Sequence, residues 1–451
     1  MFFLAHLAFL AVQLFEAQEP EYSLPKTDSN DTFPLPMKPA NSTAASHETT
    51  AITIGSPRYH RANLALFCAG FVTFITLYDI QPLLPLFSRE FGISPAAGSL
   101  PLSLSTATLA VAMLLAGTVS ESVGRKPLMS VALLLSALLA LLTACTHTFQ
   151  SLLAVRFAQG MILAGVPSVA MAYLGEEMDS SAINSAVGLY ISGNAVGGMC
   201  GRIISAILSD YIPWRSAIAV IGCLSLLLAL LFIGSLPAPA NFRRRPFKFG
   251  YLVTSLQLHL KDPGMLLLFA IAFFAMGSFI TLYNYITFRL LGAPYRLSQS
   301  TISLIFLVYF FGSLSSSLMG RLLQRFGRRF MMRVSSGVML LGTVVTLAEP
   351  VQLIVAGVAL FTCGFFAVHT IAAGWVGRRA SSARAQASSL YLFFYYLGSS
   401  ISGTAGGIFW MKWGWPGIVL VITALLLLAA AAAEILTKME SRPRLRTAQN
   451  G

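Results

Sequence analysis

Three charged residues, Asp79, Arg156 and Arg202, lie within or at the end of long apolar runs. An arginine at the centre of a membrane helix costs about 2.5–3.5 kcal/mol on insertion scales, so such charges face a partner or a cavity and mark ion or proton pathways. A carboxylate in that setting can take up and release a proton, and a guanidinium can hold it or hold an anion. Gln81 follows Asp79 by two residues and Gln159 follows Arg156 by three. Tyr283, Asn284, Tyr285, His369, Tyr391, Tyr395 and Tyr396 offer further polar and aromatic surface in the second half of the chain. His369 alone reads more readily as a packing residue than as a proton carrier. Together these groups support recognition of a small-molecule substrate and exchange of protons. Covalent catalysis is not expected, because no H-E-x-x-H or G-x-S-G occurs in the apolar runs.

The elements that must hold these residues are membrane helices. The 451 residues are 56% hydrophobic and 10% charged, with mean hydropathy +0.73, whereas soluble chains carry about 25% charge. The partner implied is the lipid bilayer. Twelve apolar segments follow Ala62: 62–87, 99–120, 127–145, 150–174, 182–209, 214–237, 264–289, 299–320, 330–348, 351–376, 385–410 and 414–436. Each is near the ~20 residues needed to cross a ~30 Å hydrocarbon core. The expected organisation is a tail at 1–60, a six-helix bundle at 61–237, a cytoplasmic linker at 238–263, a second bundle at 264–437 and a tail at 438–451. Residues 2–15 are apolar but lack a cationic leader; a cleaved signal, an interfacial helix and a different start codon all fit them. Residues 16–60 have the composition of a disordered segment.

A net charge of +13 would suggest nucleic acid in a soluble chain. Here 23 of the 30 Lys and Arg fall on one side of the twelve segments, five on the other and two inside helices. The positive-inside rule then puts both termini in the cytoplasm and removes nucleic acid as a partner. The five cysteines lie singly with no C-x-x-C, so neither a metal site, a cofactor nor a disulfide framework is expected.

The chain repeats itself. Gly117-Thr-Val-Ser-Glu121-Ser-Val-Gly124-Arg125-Lys126 returns 203 positions later as Gly320-Arg-Leu-Leu-Gln324-Arg325-Phe-Gly327-Arg328-Arg329. Ser180-Ser181-Ala182 with Ala186, Leu189 and Tyr190 returns as Ser381-Ser382-Ala383 with Ala387, Leu390 and Tyr391, and Trp214 as Trp415. An offset near 200 spanning six helices describes two parallel repeats about an axis along the membrane normal. Gly124 and Gly327 suit reversals with positive φ, and Gly117 and Gly320 would admit a close backbone neighbour.

The duplicated loop resembles the one that major facilitator superfamily transporters carry after helices 2 and 8, with Glu121-Ser122 where that family has Asp-Arg. Arg156-Phe-Ala-Gln159-Gly160 looks like the family's R-x-x-Q-G in helix 4. Gly193-Asn-Ala-Val-Gly197-Gly198-Met-Cys-Gly201-Arg202 resembles the glycine-rich helix 5 of the drug:proton antiporter branch, with Gly198 for its proline and Arg202 for its last glycine; a plain packing face explains the same glycines. The strings 197–202, 84–92 and 64–71 resemble the YnfM-like inner-membrane branch. The resemblance implies an all-α, twelve-helix carrier in a bacterial inner membrane, acting as a monomer and exporting a drug or metabolite against protons. A sugar or metabolite uniporter or importer is the alternative within the fold, and a receptor or intramembrane hydrolase the alternative outside it.

Depth along the helices predicts one contact. Asp79 lies about 26 Å along helix 1 and Arg156 about 10 Å below the same outer surface, at 1.5 Å per residue; the resemblance implies that helices 1 and 4 both line a central cavity, so the two should pair. Glu121 is expected to pair with Arg125 or the amino end of helix 11, and Gln324 to hold its side less firmly. No partner for Arg202 follows from the sequence.

Overall fold

The computed structural model describes residues 51–244 and 249–441. The remaining residues, including most of both expected tails, lie outside it. The described chain is almost wholly helical. Ten of its helices are long and apolar enough to cross a membrane. They are α1 (Pro57–Glu90), α2 (Leu100–Val123), α3 (Arg125–Ala144), α4 (Phe149–Glu177), α5 (Ile183–Tyr211), α6 (Trp214–Ser235), α7 (Pro263–Leu291), α8 (Gln299–Phe326), Val351–Arg379 and Arg384–Glu440. Two facts restore the expected twelve. Arg328–Val345 is a further helix, α9, which falls short because Arg328, Arg329 and Arg333 crowd its first turns. Val351–Arg379 is therefore α10, and the last helix breaks at Gly414 (φ 60°, ψ −143°) into α11 (384–413) and α12 (415–441).

Local chemistry sets the ends. Ser56 caps α1 by accepting from the Tyr59 amide at 3.1 Å, with Pro57 in the first turn, inside the stretch that composition assigned to a tail. Ile52 is also held, bonding Glu177 O and the Asp179 amide at 2.7 and 3.0 Å. Gly124 (φ 114°) and Gly327 (φ 77°) make the two reversals after α2 and α8. Thr148 and Ser151 form a reciprocal cap at the start of α4.

The two halves pack by the same plan. α1 lies on α5, α2 on α4 and α3 on α6; their counterparts α7 on α11, α8 on α10 and α9 on α12 repeat this. The α1–α5 seam has no room for side chains. A Cβ on Gly193, Gly197 or Gly201 would run into the backbone of Phe67, Phe71 or Ile75, one turn apart on α1. In the second half Gly398 meets the Phe273 backbone in the same manner, and Gly277 meets the Ser402 side chain. The outward surface is apolar, with Leu227, Leu230, Leu420 and Leu427 exposed, as a lipid-facing surface must be.

Across the halves, α2 meets α11 and α5 meets α8, the two pairings that a twofold relation exchanges. The hydrogen bonds described between them lie toward the outer ends. Thr404 bonds Ser103 at 2.8 Å and Ser99 at 3.3 Å, and Asp210 accepts from the Gln299 and Ser300 amides at 3.2 and 2.8 Å. At the cytoplasmic end the connection between halves is instead anchored to each side separately. Glu177 accepts from the amides of Ala240 and Asn241, while His259, in the linker helix Phe249–Leu260, bonds Ala383 O. Gly117 and Gly320, expected to admit a neighbouring backbone, have no atom within 4 Å of an added Cβ. That expectation is corrected: no described atom comes near either glycine.

The α1–α5 seam yields a prediction. Gly197→Val forces a Cβ onto the Phe71 backbone and should cost about 1–3 kcal/mol, read as a lower midpoint of thermal unfolding in detergent. Gly188→Ala, on the same helix with nothing within 4 Å, should stay within about 0.5 kcal/mol. Equal effects would contradict the seam.

Candidate functional site: a buried arginine on a broken helix

The α-helical part of α1 stops at Tyr78, Asp79 forms its cap, and Gln81–Leu83 make a tighter turn before the chain resumes at Leu84. Pro82 has no N–H to donate, so the helix cannot run through. The break leaves the carbonyls of Thr76 and Leu77 without helical partners at a depth where water cannot serve them.

Arg156 fills that end. Its Nη1 donates to Thr76 O at 2.9 Å and its Nη2 to Leu77 O at 2.7 Å. Nη1 also reaches Gln159 Oε1 at 2.6 Å and Asp79 Oδ1 at 3.2 Å, and Nε reaches Ser105 Oγ at 3.0 Å. Arg156 and Asp79 are both fully buried. The expected Asp79–Arg156 contact is present, and the carboxylate sits at the helix end as its cap residue. The salt bridge is the longest of the five contacts, and Asp79 Oδ2 accepts no hydrogen bond among the described residues. The guanidinium is held mainly by backbone and neutral side chains, and the acid is held loosely.

Close by, Arg202 on α5 donates Nε to Gln81 Oε1 at 2.6 Å and Nη1 to Gly198 O at 2.6 Å. Its guanidinium lies 3.9 Å from the Tyr78 ring and 5.1 Å from that of Tyr309 in the other half. Gln81 Nε2 then donates to Asn284 Oδ1 at 2.8 Å, which ties α1 to α7. The glycines of α5 divide: Gly193, Gly197 and Gly201 face α1, whereas Gly198 faces Arg202.

In the second half Tyr283 OH bonds Thr362 and Tyr285 OH bonds Gly403 O, both fully enclosed. His369 Nδ1 lies 3.0 Å from Tyr391 OH, and its ring stands 5.0 Å from Tyr395; Tyr396 sits edge-on to Tyr395. The structure thus brings together Asp79, Arg156 and Gln159, and separately Gln81, Arg202 and Asn284. His369, Tyr391 and Tyr395 form a third group. Sequence reasoning missed Ser105 and the Thr76 and Leu77 carbonyls, which only the helix break exposes; Pro82 was the signal. It also missed Tyr309 and Phe306.

The cytoplasmic loop corrects another expectation. Arg125 pairs with Glu176 at the end of α4, Nη2–Oε1 2.6 Å and Nε–Oε2 3.1 Å, and not with Glu121. The two-pronged geometry favours Glu176, and the adjacent acids Glu176-Glu177 were the unread clue. Glu121 lies beside Arg125, Glu176, Asn241 and Arg243 around a cavity of 180 Å³. In the second copy Arg329 and Arg333 hold Glu434, and Arg325 and Arg328 lie over Phe326 and Trp375. The amide of Gln324 takes part in none of these pairs.

A family model described as Major Facilitator Superfamily matches residues 64–294 and 267–450. The chain is 45% identical over 394 residues to the uncharacterized MFS-type transporter YybF of Bacillus subtilis, covering 87% of this chain and 98% of that protein. It is 45% identical over the same length to the inner membrane transport protein YnfM of Escherichia coli, covering 87% and 94%. Among solved structures, a bacterial homolog to the human lysosomal transporter Spinster superimposes with a TM-score of 0.68 at 15% identity, over 85% of this chain and 98% of the other.

Removing one member of the buried pair should be worse than removing both. Arg156→Leu leaves Asp79 without its cation and should cost about 3–5 kcal/mol. Adding Asp79→Leu should recover part of that loss, although the Thr76 and Leu77 carbonyls stay orphaned. Thermal unfolding of the two single variants and the double checks this; strictly additive losses would show that the charges are not coupled.

Proposed function

This chain belongs to the Major Facilitator Superfamily, and we propose that it exports a small molecule, a drug or metabolite, by alternating access coupled to protons. The observation that carries the coupling is Asp79, a fully buried acid 3.2 Å from Arg156 with one carboxylate oxygen unpartnered. Protonation would remove the negative charge while Arg156 kept its two carbonyls, Gln159 and Ser105. The charge on that one helix end would change with the proton, and the broken segment of α1 would be free to reset its angle. That segment also carries Gln81, whose bond to Asn284 joins the halves, so the proton and the interface would share one piece of backbone.

Alternating access is supported by the asymmetry of the contacts. Toward the outer end the halves share hydrogen bonds from Thr404 and Asp210, each worth about 0.5–1.5 kcal/mol net, together with close packing of Gly407 on Ala96. A ligand or proton that prefers one state by a few kcal/mol would move a balance between two states. The charge asymmetry of the loops supports both termini being cytoplasmic, and the similarity to the inner membrane transport protein YnfM supports a bacterial inner-membrane location.

Flux into proteoliposomes tests the coupling, with substrates first found by thermal shift against drugs, sugars and metabolites. Asp79→Asn should abolish transport driven by a proton gradient while leaving substrate binding measurable, and Arg156→Ala should damage both. Normal proton-driven flux by Asp79→Asn would refute Asp79 as the coupling group.

A further inference from the structure

Asp79, Arg156 and Arg202 are the charged side chains buried deep in the bundle, and the first two neutralise each other. Arg202 is 2% exposed and has no carboxylate within ion-pair distance among the described residues. Its surroundings are built for the cation all the same. Gly198, one turn earlier, supplies its carbonyl and leaves room for the guanidinium: a Cβ there would stand 3.2 Å from Nη1. Tyr78, Tyr309 and Phe306 lie against it with centroids 3.9, 5.1 and 5.4 Å away, which offsets part of the desolvation.

The hydrogen bonds around Arg202 have a forced direction. Arginine only donates, so Gln81 must turn its oxygen to Arg202 and its NH2 to Asn284. Asn284 must then receive with Oδ1, and its own NH2 is left over; this fully buried Nδ2 has no acceptor among the described residues. The hydroxyl of Tyr309, whose ring lies 5.1 Å from the same guanidinium, is likewise unpartnered among the described residues. The site holds an excess of donors and one net positive charge. What it lacks is an acceptor carrying one negative charge.

A buried aromatic row continues from it. Tyr309 is 5.6 Å from Phe279, Phe279 3.9 Å from Phe365, and Phe365 6.1 and 6.3 Å from His369 and Tyr395. The last two are half-buried and stand at the less enclosed end of this row. We propose that Arg202 and this row form the substrate site for an aromatic carboxylate, with the carboxylate on Arg202 and the Tyr309 hydroxyl and the ring along Phe279, Phe365 and Tyr395. The proposal names the substrate class of the transporter proposed above and rests on that reading only for the ligand's passage, not for its binding.

Benzoate and its neutral isostere benzamide are the probes, with inorganic phosphate as the small inorganic anion and thermal unfolding of the purified full chain as the readout. Benzoate should raise the midpoint by several degrees, while benzamide and phosphate leave it nearly unmoved. Arg202→Gln should weaken benzoate binding tenfold or more, with Arg202→Lys between it and the parent. Tyr309→Phe keeps the ring and packing and should weaken benzoate several-fold, which preserves the test if the Arg202 variants do not fold. Equal shifts from benzoate and benzamide, a phosphate shift matching that of benzoate, or unchanged benzoate affinity in Tyr309→Phe and Arg202→Gln would each overturn the proposal. Flux of neutral compounds with no benzoate binding would sink this inference and leave the transport reading standing; benzoate binding through Arg202 with no flux of any compound would do the reverse.

Discussion

The guanidinium of Arg156 closes the end of a helix that stops inside the membrane. Without it the carbonyls of Thr76 and Leu77 would be left in hydrocarbon, where each unsatisfied group costs several kcal/mol. That single requirement ties α1 to α4, and through Ser105 to α2 as well. Asp79 enters on top of it: the carboxylate joins a site whose scaffold is already bonded. In the function proposed above, a fixed cation with a loosely held acid would separate the task of keeping the fold from the task of changing charge.

The same broken segment carries Gln81, and from there the polar chain runs to Arg202 in α5 and to Asn284 in α7. Close glycine seams pack α1 on α5 and α7 on α11. Between the halves, the hydrogen bonds of the symmetric pairs α2–α11 and α5–α8 gather toward the outer end, and Gln81–Asn284 with the rings around Arg202 joins them deeper in. Under the alternating access proposed above, two such halves would form a bistable device. The linker respects this, because Glu177 fastens it to one half and His259 to the other, with the intervening chain left to span them.

Much of this was legible in the sequence. Apolar run lengths placed twelve helices within a few residues, since the bilayer fixes length; Arg328–Val345, whose first turns carry three arginines, was already legible as the apolar run 330–348. The duplicated loop and the offset of the tryptophans disclosed two halves, and depth together with the family resemblance paired Asp79 with Arg156. Partner choice at the surface was not legible. Arg125 had several acids within reach along the chain, and only the packing of α4 presents Glu176 to it. Arg202 had no readable partner because its contacts are a carbonyl, an amide and rings from two halves, none of which leaves a charge pattern. Residues 51–60 misled by composition: Ser56 and Pro57, typical of a flexible tail, are a cap and a first helical turn.

The central claim, that a proton at Asp79 biases two stiff halves that open alternately, is tested by distances at both ends of one molecule. Spin labels at Tyr211 and Ser298 report the outer end and labels at Val123 and Phe326 the inner end. The account predicts two populations in liposomes, outer-short with inner-long and the reverse, whose ratio shifts between wild type and Asp79→Asn. A single unchanged pair of distances in both proteins, or inner and outer distances that vary independently, would contradict it.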